Sequence, residues 1–137
     1  AFLLCFYELL RQVWRPKTQK TPLKMTQHIT WQDFQQVELR VGRVLSAQPL
    51  PKARNPAFVL QVDFGADIGI KKSSAQITTH YAAEALVGKL VVAVTNFPPK
   101  QIGSVMSECL VTGFHDANGA VRLCVPDGEV PLGTRLA

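Results

Sequence analysis

The sequence predicts a small all-β barrel over residues 25–137, and three observations carry the prediction. Apolar and polar residues alternate with period two in several short runs, the pattern of strands that bury one face. Clusters of Gly, Pro, Asn and Asp separate those runs, as turns do. A single short helical stretch interrupts them, between the third run and the fourth.

The chain upstream of that unit reads differently. FLLCFYELL is apolar, but no basic residue precedes it and no small-residue cleavage site follows before Arg11, so it is not expected to be a signal peptide. It also falls far short of the ~20 apolar residues a membrane-spanning helix needs. RPKTQKTPLKM, with Pro16 and Pro22 among lysines, reads as a linker that ends at Met25. Residues 1–24 are therefore expected to be an N-terminal extension outside the fold. The alternative is a short amphipathic helix, Phe2 to Val13, with a docking role.

Thr30 opens TWQD, a helix N-cap with an acid three residues later, which predicts one helical turn. Val37, Leu39 and Val41 alternate with Glu38 and Arg40 as a first strand, and Val44 with Leu45 resumes it beyond Gly42. Gly42 is expected to mark a bulge or a strong bend. Three prolines make Pro49 to Pro56 a loop. Phe58, Leu60, Val62 and Phe64 form a second strand, Gly65 and Gly69 bracket a tight connection, and Ile70 to Ile77 reads as a third. Thr78 or Thr79 is expected to cap a short helix, YAAEALV, which Gly88 ends in a left-handed conformation. Leu90 to Thr95 is a buried fourth strand and Glu108 to Phe114 a fifth. DANG at 116–119 is a turn, after which Val121 to Val125 adds one more strand.

Three strands, a helix and two strands is the order of a five-stranded Greek-key OB barrel. Period alone does not exclude another small barrel. The chain beyond residue 119 is surplus to the barrel, and Leu123, Val125, Val130, Leu132 and Leu136 need a surface to cover. That surface is either the barrel's own end or a second copy of the chain.

The formal charge of +5 hints at a polyanionic partner, but it is unevenly placed. Residues 1–24 carry five basic side chains against Glu8 alone, whereas the rest carries ten basic and nine acidic ones. Any nucleic-acid site in the barrel must therefore rest on local clustering.

Enzyme chemistry finds little support. His28, His80 and His115 are scattered without ligand spacing, and none belongs to a nucleophile motif. Asp63-Phe64-Gly65 spells a kinase motif without its partner motifs, and reads as a strand ending in a turn. GADIGI at 65–70 lacks the glycine pattern of a phosphate loop. Cys5, Cys109 and Cys124 have neither zinc spacing nor the even count of a disulfide framework, which fits a reducing cytoplasm. No metal or cofactor is expected.

The basic residues are more informative. Lys52 and Arg54 sit in the loop after the first strand, Lys71 and Lys72 begin the third, and Lys100 follows the fourth. Ligands of an OB barrel lie across strands 2 and 3 and between the loops after strands 1 and 4, where these five charges would converge. Solvated loop lysines with no shared role are the plainer alternative. Phe58 and Phe64 have core periodicity, which leaves Phe97 and Tyr81 as the exposed rings expected near the site. Stacking is then minor, and phosphate and shape readout, as for folded RNA, should dominate. Ser73, Ser74, Gln76, Asn96, Gln101 and Ser107 supply neutral donors and acceptors for ribose or base edges.

DFQQVELRVGRVLSAQPLPKARNPAFVLQVDFG, IGIKKSSAQIT and VVAVTNFPPKQIGSVMSECLVTG closely resemble the CsaA family of export-related chaperones. That family is one of the tRNA-binding domains also appended to methionyl- and phenylalanyl-tRNA synthetases. The resemblance spans residues 29–137. It implies an OB-fold homodimer joined by the C-terminal hairpin and neighbouring segments, which gives the surplus apolar residues a destination. It implies tRNA as the RNA, with Asn96, Lys100, Gly103 and Ser107 in the recognition frame. Leu110 stands where the appended domains often have Met. It also implies, as an alternative activity, binding of unfolded or exported polypeptides and the protein-export machinery. Phe97, Ile102, Val105 and Met106 would line the peptide groove, or else pack the loop.

Overall fold

The computed structural model of the protein describes residues 27–51 and 54–136. The expected extension at 1–24, its boundary at Met25, and Lys52 lie outside the described residues.

Strand β1 (Leu39–Pro49) lies at the centre of a five-stranded antiparallel sheet. Its neighbours are β2 (Phe58–Asp63), which leads to β3 (Ile70–Ala75), and β4 (Leu90–Val94), which leads to β7 (Leu110–Val111). The sheet curls until β3 and β7 face each other, which makes a nearly closed barrel of the OB type. Two hairpins complete it: β5 (Lys100–Ile102) with β6 (Val105–Ser107), and β8 (Gly113–His115) with β9 (Val121–Leu123). The inward residues of β2, Phe58, Leu60 and Val62, form the core with Val44, Phe64, Ile77, Val91 and Val111.

Helix α1 (Trp31–Gln35) begins as its sequence predicts. Thr30 Oγ1 accepts from the Asp33 N–H at 3.1 Å, and Asp33 Oδ2 accepts from the Thr30 N–H at 2.9 Å. Helix α2 (Ala83–Leu86) is shorter than expected, and its N-cap is Ala82, with no side-chain cap. Thr78 and Thr79 do not cap it, because the chain stays in a turn that a contact from His80 Nε2 to Asp116 Oδ2, at 2.7 Å, ties to the β8–β9 hairpin. Leu86 is fully buried and plugs one end of the barrel. Gly88 then takes φ +87°, the left-handed stop expected of it.

The irregularity in β1 lies at Leu45 rather than Gly42. Val44 pairs with Val62 and Ser46 with Gln61, so Leu45 is the extra residue. It sits where β1 changes partners, from β4 over 39–43 to β2 over 43–49. Gly42 answers a different demand, because a Cβ there would stand 2.5 Å from Val62 Cγ1 and 2.7 Å from Phe64 Cε1. Only a residue without a side chain lets β1 lie this close to the aromatic centre of the core.

The C-terminal segment is hydrogen-bonded to β1. Val41 N–H donates to Thr134 O, Gly133 N–H to Val41 O and Leu136 N–H to Leu39 O, at 2.8 to 3.0 Å. Residues 133–136 thus cover the edge of β1 that β2 does not reach. Leu123 joins the core, whereas Val125 and Leu136 stay exposed.

Asp116 anchors the DANG turn, its Oδ1 accepting the N–H groups of Asn118 and Ala120 at 2.9 and 3.0 Å. The hydrogen bond from His80, helped by those two backbone donors, holds its carboxyl below the usual carboxylate range. The unfolded chain then binds the proton more tightly, so the stabilisation is whole above the unfolded pKa of about 3.9 and fades as pH falls through the folded one. Between about pH 5 and about pH 2, the melting temperature of Asp116→Asn should therefore fall less than that of the wild type. Parallel thermal melts would show this, and equal slopes would disprove it.

Candidate nucleic-acid interface

The expected loop at 96–107 is largely a hairpin. Lys100 pairs with Ser107, Gln101 with Met106 and Ile102 with Val105, and Gly103 at φ +57° makes the two-residue turn with Ser104. Gln101 Nε2 donates to Gly103 O at 2.8 Å and braces that turn. Gly-Ser between two short alternating runs was the available hairpin signal, and the two prolines just before it obscured the pattern.

The two faces of the hairpin differ. Gln101 and Met106 point outward and are exposed. Ile102 is buried and packs with Phe97 and Leu110, a small cluster that seats the hairpin on the barrel. Of the four expected peptide-contact residues, Ile102 is thus committed to packing, Phe97 and Val105 are half-buried, and Met106 alone is open at 46% exposure.

The hairpin lies against β3. Ser74 N–H donates to Ser107 Oγ at 3.1 Å, so Lys100, the cross-strand partner of Ser107, comes beside the strand that carries Lys71 and Lys72. The loop bearing Arg54 closes at the same end, where Leu50 N–H meets Ala57 O at 2.9 Å and Phe58 pairs with Ala75, the residue before Gln76. Arg54, Gln76 and Lys100 therefore share one mouth of the barrel; further along β3 the exposed Lys72 stands opposite Gln61 on the outer face, while half-buried Lys71, opposite Val62, leaves the strand on the other side near Cys109. The core side chains of β2 and β3 fix this layout, because each strand's buried face dictates its register.

Ser73, Ser74 and Ser107, expected as exposed donors, are fully buried. They sit under the basic face, where the small hydroxymethyl group fits the tight approach of hairpin to strand. Asn96 is exposed but occupied: its Oδ1 accepts from Glu38 N–H at 3.1 Å and its Nδ2 donates to Gln36 O at 2.6 Å. It acts as a rung joining the end of β4 to the entry of β1. Tyr81 lies elsewhere, its hydroxyl accepting from Leu123 N–H at 3.0 Å with Lys89 Nζ 5.8 Å over its ring. The exposed rings of the described residues are Trp31 and Phe114.

Electrostatics separate the basic residues into two groups. Arg40 pairs with Glu38 at 3.4 Å and Arg43 with Glu129 at 2.8 Å, while Arg135 donates to Gln35 O. Arg54, Lys71, Lys72, Lys89 and Arg122 form no ion pair among the described residues, and the first three belong to β3 and the mouth. Burial pushes the thiol of Cys109, beneath that face, up to about 12, away from its thiolate form.

On the opposite flank is an apolar groove of about 550 Å³. Leu39, Val41 and Val92 are among its lining residues, Phe114, Val125 and Leu136 stand exposed at it, and Arg40 and Arg135 also border it. Among the described residues, no helix is long and apolar enough to cross a membrane, and no cluster of His, Cys, Asp and Glu could hold a metal ion.

The family model described as "Putative tRNA binding domain" matches residues 39–135. The chain is similar to a crystal structure of chaperone CsaA from Bacillus anthracis, with 43% identity, a TM-score of 0.75, and coverage of 81% of this chain and 100% of that one. It is likewise similar to a CsaA chaperone protein from Picrophilus torridus, at 44% identity, TM-score 0.73, and coverage of 80% and 100%. Among curated sequences it resembles the methionine–tRNA ligase of Porphyromonas gingivalis, 33% identical over 112 residues. That match takes in 82% of this chain but only 16% of the ligase.

Proposed function

The chain belongs to the tRNA-binding domain family, within its CsaA group, and from that premise we propose that it is a non-catalytic protein that docks structured tRNA on a homodimer. The observation that carries the reading is the segregation of charge. Arg54, Lys71, Lys72 and Lys100 gather on β3 and the adjoining mouth, with Lys52 expected in the same loop as Arg54, while Arg40 and Arg43 are neutralised elsewhere. Phosphates of a folded RNA engage the lysines and the arginine, and Gln76 and Gln101 add neutral contacts at the mouth. The ligases that match are enzymes, and the stretch shared with this chain is 16% of their length. The binding unit is residues 25–137, acting in the cytoplasm, where the free thiols of Cys109 and Cys124 stay reduced.

The apolar groove supports the dimer. Phe114 is 70% exposed, and with Val125 and Leu136 it forms an apolar patch that a second copy covers by the same residues. Phe114→Asp is expected to convert the dimer to monomer at micromolar concentration in size-exclusion with light scattering. A wild-type chain that runs as a monomer would refute this part.

A second reading, binding of exported or unfolded polypeptides together with the export machinery, draws on the outward Met106 and on the similarity to crystal structures of CsaA chaperones. Titrating the full chain with bulk tRNA, duplex DNA and a reduced unfolded polypeptide at several salt concentrations separates the two. The tRNA reading requires tRNA to bind most tightly and to weaken steeply with salt. Preference for the polypeptide, with no tRNA bound at moderate salt, would favour the chaperone reading.

A further inference from the structure

We propose that Glu108 is a positioning residue: with Ser107 it latches the β5–β6 hairpin onto β3 and so fixes where Lys100 stands relative to Lys71 and Lys72. The inference rests on the reading of those lysines as tRNA contacts.

The seam between β3 and the hairpin is where the barrel fails to close by a regular ladder. In the sheet β3 has β2 as its neighbour on one edge only, so its other edge presents backbone groups that need partners. Side chains supply most of them. Lys72 N–H donates to Glu108 Oε1 at 3.1 Å, and Ser74 N–H donates to Ser107 Oγ at 3.1 Å. One backbone bond runs the other way, from Glu108 N–H to Lys72 O at 2.8 Å. Glu108 therefore grips both polar groups of Lys72, and two neighbouring side chains stand in for the carbonyls of a missing strand.

Two features separate this from an incidental surface contact. Ser74 and Ser107 are fully buried, so water cannot replace the bond between them, and the seam loses a partner outright if it opens. Glu108 also places a negative charge on the face that otherwise collects positive ones. A carboxylate free in solution there would only repel a polyanion. As the acceptor of the Lys72 N–H, it holds in register the strand and hairpin that carry the cations.

The latch makes separable demands on charge and on hydrogen bonding. Glu108→Gln keeps an acceptor oxygen and removes the charge, whereas Glu108→Ala removes both. Hydrogen exchange followed by mass spectrometry reads the seam without RNA, and a tRNA titration across salt reads the consequence. Glu108→Ala is expected to speed exchange of the β3 and hairpin amides and to weaken tRNA binding about tenfold. Its salt slope should match the wild type, since no phosphate contact is removed. Glu108→Gln should keep slow exchange and bind tRNA at least as tightly as the wild type.

Wild-type exchange and affinity in Glu108→Ala would overturn the latch. Faster exchange with unchanged affinity would overturn the positioning role. Loss of affinity in both variants alike would assign the effect to charge and overturn it as well. If the wild type binds no tRNA, the functional reading beneath fails, while the exchange comparison still decides the latch.

Discussion

Phe64→Ala is expected to destabilise the protein by about 3–5 kcal/mol, the range found when a buried aromatic is truncated. Phe64 is the largest of the fully buried side chains, at 1% exposure, and its ring meets β1 at the position kept clear by Gly42. Removing the ring leaves a cavity bounded by β1 and β2, whose ladder limits how far they can collapse. Urea unfolding should show a lower midpoint at an unchanged slope. Gly42→Ala should also destabilise, by roughly 1–3 kcal/mol, because it overfills the same place. The two should couple: part of the Gly42→Ala penalty disappears when Phe64 is already shortened, and the rest persists because Val62 Cγ1 stands 2.5 Å from the new Cβ. Additive effects would show that the two positions do not share one packing constraint.

The second large effect concerns the basic face. Each lysine that neutralises a phosphate releases a counterion, so losing one contact should lower the slope of log affinity against log salt by roughly one. Lys71→Ala combined with Lys72→Ala is expected to lower it by about two and to weaken tRNA binding by one to two orders of magnitude at moderate salt. Lys100→Ala should lower it by about one more. Lys89 is the control, since it lies over the Tyr81 ring and away from β3. Lys89→Ala should leave the slope alone. An unchanged slope in the Lys71–Lys72 double variant would remove this face from the binding site.

The sequence and the structure agree most closely where local chemistry decides. The Thr30 capping box, the left-handed Gly88 and the Asp116 turn each involve residues within a few positions of one another, and all three were legible. The alternation of Phe58, Leu60 and Val62 placed β2 and its buried face for the same reason. Strand order pointed to the OB barrel, and family resemblance narrowed the expected RNA to tRNA. Agreement weakens where a residue's partner is distant in sequence. Gly42 looks locally like a bend, and only the ring of Phe64, brought over from the next strand, shows that it serves close packing. Asn96 reads as a ligand donor until Gln36 and Glu38 occupy its amide.

The 96–107 loop divides along the same line. Its composition determined that the mouth of the barrel would carry Lys100 with neutral polar residues, because residue types and chain order are properties of the sequence alone. Burial is not such a property. Whether a serine faces solvent depends on what another segment lays over it, and the hairpin lies over Ser74 while β3 lies over Ser107. Tertiary packing thus buried three serines expected as RNA donors. It also gave Glu108, which has no distinguishing local pattern, the position at the seam, because the backbone groups it satisfies belong to a strand 36 residues away.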